Sequence, residues 1–169
     1  MKDRDLATYL NDHLAGSIGA LELLDRMIDK YKEQPMAQFC CEMRAEISAD
    51  QDELREIMKA VDVEESSLRK AGAWIMEKFS RAKLSLGGEE SANLGLVQAL
   101  ESLVLGIKGK EVLWHALAAV QPDWPQLRQF DFARLEKRAV EQGTQVDAER
   151  IQAVTKVFRS ASDEVTAKK

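Results

Sequence analysis

Apolar residues recur at spacings of three and four from the start of the chain, in the row Ala7, Leu10, Leu14, Ser17, Leu21, Leu24, Ile28 and Tyr31. At 3.6 residues per turn such a row lies along one face of a helix, and it predicts a long helix from about Arg4 to Glu33. Met36, Cys40, Met43, Ile47, Leu54, Met58 and Val61 repeat the pattern, so a second helix is expected over Met36 to Val61, with Pro35 in the first turn where proline is tolerated. So short a connection makes the two an antiparallel hairpin.

Asp62, followed three residues later by Glu65, reads as a capping box that opens a third, shorter helix, ending near Leu86 before Gly87-Gly88. A fourth helix is expected from about Ser91 to Val120. A fifth, capped by Asp123, runs from Trp124 to about Ala161 on the stripe Phe132, Leu135, Ala139, Gln142, Val146, Glu149, Ala153 and Val157. The stripe keeps its phase across Gly143, which favours one helix with a kink allowed at that point, and residues 162–169 read as a frayed tail. No window alternates with the period of a strand. The predicted fold is all-α: a single domain over residues 1–169, built as an up-and-down bundle of four long helices plus one shorter helix.

The fourth helix breaks the rule that core rows are apolar. Its heptad-like row Val97, Glu101, Val104, Lys108, Glu111, His115 and Ala118 places four polar or charged side chains at or inside the core edge. His13 on the first helix, Glu46 and Asp50 on the second, and Gln142 on the fifth are positioned to join them. Buried charges must be paired. The expectation is therefore an internal polar layer of Glu101, Lys108, Glu111, His115 and Gln142 that fixes helix register, with a solvent- or partner-facing row, or a metal site, as the other readings.

Composition narrows the function classes. With 24 Lys+Arg against 29 Asp+Glu the chain has a net charge of −5, and no third of it carries the basic surplus that phosphate binding needs. The longest apolar stretch, Leu94 to Ile107, is interrupted by Gln98 and Glu101 and is too short to span a bilayer. With no secretory signal at Met1 to Asp5, a cytoplasmic location is expected. Cys40 and Cys41 are adjacent and point about 100° apart on a helix, so Cys40 is expected in the core and Cys41 outside it. Met27, Met36, Met43, Met58 and Met76 read as core filler, and Gly16 and Gly19 with Ala15 and Ala20 as a close helix approach.

Two long hairpins with inward Glu and His resemble the ferritin-like superfamily, and the stretch from Phe132 to Arg150 is similar to the last helix of its small bacterial members. The resemblance implies iron binding, ferroxidase or oxygen chemistry in an oligomer, with Glu101 as an inward carboxylate and Glu46, Asp50, His13, Glu111 and His115 as candidate metal ligands. The Glu-x-x-His motifs of that superfamily have no counterpart here; Glu111 and His115 are one residue too far apart. The expected function is accordingly a non-catalytic bundle without a cofactor, acting through protein association, as a homodimer or with a protein partner. The alternative is a degenerate iron-binding oxidoreductase.

Overall fold

A computed structural model describes residues 2–66 and 89–167, with side chains described over 4–66 and 93–159. The described residues are helical nearly throughout and contain no strand. Helix α1 spans Lys2–Lys30, α2 Pro35–Ala60, α3 Glu89–Val120 and α4 Phe132–Ala167. Each lies within a few residues of its expected range except at the start of α4. No helix among the described residues is long and apolar enough to cross a membrane.

Two of the expected boundaries move for identifiable reasons. Asp62 does not open a helix; it closes α2. Its φ of 57° is left-handed. The Val63 amide donates to the Met58 carbonyl at 2.9 Å and the Asp62 amide to that of Lys59 at 3.3 Å, which together form a Schellman cap. Val63 and Met58 then pack in the same cluster, as that cap favours. Residues 63–66 are not helical, and the rest of the expected short helix lies outside the described residues. The second shift is at Asp123. Pro122 and Pro125 confine residues 121–129 to two 3-10 turns, and Trp124, preceding a proline, is extended. The true N-cap is Asp131, whose Oδ1 accepts the Arg134 amide at 3.0 Å. The helix that follows is continuous through Gly143 and runs on to Ala167, past the expected fray at 162.

Apolar side chains gather in two clusters. One is built from Leu24, Met27, Cys40, Met43, Leu103 and Val146, the other from Leu10, Leu14, Leu54, Trp114, Leu135 and Ala139. Each helix contributes to both, and the order in which it does so gives its direction. From N- to C-terminus, α2 and α3 pass from the first cluster to the second, while α1 and α4 pass the other way. So α1 with α2, and α3 with α4, form antiparallel hairpins, whereas α2 and α3 run parallel. Cys40 is buried and Cys41 exposed, as expected; burial, then Cys41 and Glu149, push the Cys40 thiol up to about 12.

The left-handed Asp62 has a direct test. A side chain at positive φ costs about 1 kcal/mol that glycine avoids, so Asp62→Gly is expected to raise the unfolding free energy by about 0.5–1 kcal/mol in urea titrations.

Candidate functional site

The two apolar clusters are separated, one turn deep, by a polar layer to which every helix contributes. From α2 comes Asp50, only 2% exposed, and from α4 Gln142, fully buried. The Asp50 carboxylate forms ion pairs with Lys110 of α3 and Arg138 of α4. Gln142 closes the ring: its amide N–H donates to Asp50 Oδ2 at 3.0 Å and its carbonyl accepts from Lys110 Nζ. A second chain of bonds reaches α1, where Arg55 donates to Gln51 Oε1, Gln51 Nε2 to Ser17 Oγ at 2.8 Å, and Ser17 to the Leu14 carbonyl at 2.7 Å.

Burial works against the charge on Lys110. Its ammonium is held below the ordinary lysine range, first by desolvation, with the nearby Arg138 adding to the effect; Asp50 and Glu46 pull the other way. At the surface of the same α2–α4 seam, Arg134 donates to Glu53 at 2.6 Å.

A polar layer is present, but it is not the expected set of residues, because α3 enters it with a different face. Glu101 and Lys108 are exposed, Lys108 pairing along its own helix with the half-buried Glu111, and His115, 75% exposed at its side chain, meets Glu136 of α4 at 3.2 Å. Of the five residues expected in the layer only Gln142 lies there. The reason is electrostatic. Leu100, Leu103, Ile107, Lys110, Trp114 and Leu117 recur at spacings of three and four, and burying that row takes one charge inside, whereas the expected row would take Glu101, Lys108, Glu111 and His115. Lys110 was legible as the single charge in an otherwise apolar heptad.

The remaining candidates are dispersed. Asp50 is in the layer, and the half-buried Glu46 is close enough to Lys110 to raise its pKa. His13 stands against Tyr9 edge-to-face at 4.7 Å, and burial holds it below the ordinary histidine range against the opposing charge of Asp12. Among the described residues no three His, Cys, Asp or Glu side chains converge to hold a metal ion. Asp50, the one candidate inside the core, is occupied by two cations and a carboxamide.

Gly16 also differs from expectation. A Cβ built there meets nothing within 4 Å, so Gly16 does not mark a close helix approach. It borders a cavity of about 210 Å3 between α1, α2 and α3, lined also by His13, Lys110 and Trp114.

Comparison with known proteins adds nothing to this geometry, since no family model, no curated protein and no solved structure matches the chain.

The layer and the exposed row separate in one experiment. Asp50→Ala strands two cations in the core and is expected to lower stability by about 3–5 kcal/mol. Glu101→Ala is expected to change it by less than about 0.5 kcal/mol. Urea unfolding of both variants checks the pair; equal effects would contradict the assignment.

Proposed function

We propose that the protein is a non-catalytic helical bundle of ferritin-like architecture that works by association, two copies pairing through the outer face of the α3/α4 hairpin. The observation that carries this reading is a repeated spacing. On α3 the exposed large apolar side chains include Leu94 (42%), Leu105 (69%) and Val112 (48%); on α4 they are Val140 (47%), Ile151 (49%) and Phe158 (60%). Both triplets step by eleven and then seven residues, which keeps each on one helix face. Because α3 and α4 are antiparallel, with Lys110 level with Gln142 and His115 with Glu136, Val112 falls beside Val140 and Leu94 beside Phe158. The result is an apolar strip along the outside of the hairpin, away from the layer.

Charge favours a second copy as the occupant. Glu101 and Lys108 are exposed on the same face of α3, on either side of Leu105. If two α3 helices cross antiparallel about an axis between Val104 and Leu105, Glu101 of each copy falls opposite Lys108 of the other, as a two-fold interface requires. The ferritin-like reading is supported by the parallel run of α2 and α3, since bundles of that type contain one long crossover between two hairpins. The ion pairs and hydrogen bonds that link Asp50 to Lys110, Arg138 and Gln142 support a structural role for the layer.

Sedimentation equilibrium tests the association. The parent is expected to sediment as a dimer at high micromolar concentration, Leu105→Glu/Phe158→Glu as a folded monomer, and Glu101→Lys as a weakened dimer that Lys108→Glu in the same chain restores. A parent that remains monomeric, or a Leu105→Glu/Phe158→Glu variant that remains dimeric, overturns the reading.

A further inference from the structure

A cleft of about 210 Å3 opens beside the ion layer, between α1, α2 and α3. An apolar space of about 150 Å3 is enough for a benzene ring. Ile47 and Leu54 of α2 and Ile107 and Leu113 of α3 supply its apolar walls. Three of its lining residues are glycines within helices: Gly16, Gly106 and Gly109, and a Cβ at any of them meets nothing within 4 Å. Packing therefore does not demand glycine at these places, and each costs a helix about 1 kcal/mol relative to alanine. Glycine at all three keeps side chains out of the space and its mouth.

The polar groups on the walls include the carboxylates of Asp50 and Asp12, and beside them Lys110 keeps unused donor capacity. Two of the three N–H bonds of Lys110 are taken by Asp50 and Gln142, leaving one. The Trp114 indole N–H is buried and donates to no acceptor among the described residues. Lys110 is also the under-compensated cation of the layer, because its partner Asp50 is shared with Arg138. Glu46 reaches Lys110 from α2, Asp12 stands exposed at the rim, and His13 beside it is held toward its neutral form by burial. From this arrangement we infer that the cavity between α1, α2 and α3 is a binding site for a small apolar monocarboxylate, an arene or short alkyl chain whose body fills the apolar space and whose carboxylate accepts from Lys110. The inference does not rest on the proposed dimer, which is argued from Leu94, Leu105 and Val112.

Benzoate, phenylacetate and hexanoate are suitable probes, with benzyl alcohol as the uncharged comparison. In protein labelled with 15N-tryptophan, the indole signal that is missing from Trp114→Phe is expected to shift saturably with at least one of the carboxylates, and benzyl alcohol to bind roughly tenfold or more weakly. Gly16→Leu and Gly109→Leu each gain helix propensity while filling the space, so both are expected to fold and to weaken carboxylate binding at least tenfold. Three results would each overturn the inference: no saturable shift with any of the three acids, benzyl alcohol binding as tightly as benzoate, or undiminished binding in both leucine variants.

Discussion

Asp50 is a carboxylate at 2% exposure with a cation on either side, and the placement of α2, α3 and α4 follows from satisfying it. A buried carboxylate without partners would cost several kcal/mol, and it recovers that cost only where Lys110, Arg138 and Gln142 all reach it. Those three groups sit on two different helices. Sliding α3 or α4 by one turn moves Lys110 or Gln142 about 5.4 Å along the axis and leaves the carboxylate without them. Apolar packing alone is less discriminating, since a leucine displaced by a turn meets another apolar residue. The layer thus supplies the register, and the clusters above and below it supply most of the stabilisation.

The orientation of α3 follows from the same interaction. Turning Lys110 toward Asp50 brings Leu103, Ile107 and Trp114 into the core and leaves Glu101, Lys108 and His115 outside with Leu105 and Val112. It also sets Gly106 and Gly109 toward α1, where Gly16 faces them across open space. The apolar strip and the cavity are therefore two consequences of one rotation, found on neighbouring faces of the helix. Neither requires chemistry at the layer.

The helices were legible in the sequence because their rows are long and regular, and the layer was legible in part, through Gln142 and Asp50. Local signals misled where two structures use the same residues. Asp62 and Glu65 have the spacing of a capping box, but the chain uses Asp62 as the left-handed residue that ends α2, with Glu65 pairing to Arg55 instead. Asp123 carries a good capping side chain, yet the flanking prolines shorten the helix to begin after Asp131. On α3 two heptad-like rows overlap, and which one faces inward depends on the charges waiting on α2 and α4, information that no single helix contains.

The claim that the layer sets register is tested most directly by removing it without leaving an unpaired charge. In Asp50→Leu/Lys110→Met/Arg138→Leu/Gln142→Leu the ring around Asp50 becomes apolar while the Gln51–Ser17 bond is kept, and stability is expected to stay level or to rise by about 1–4 kcal/mol. The decisive measurement is its 1H–15N correlation spectrum beside that of the parent. The account predicts more backbone amide signals than residues, from helices that have settled in alternative registers. A single, well-dispersed set matching the parent would show that apolar packing alone fixes the register, and would contradict it.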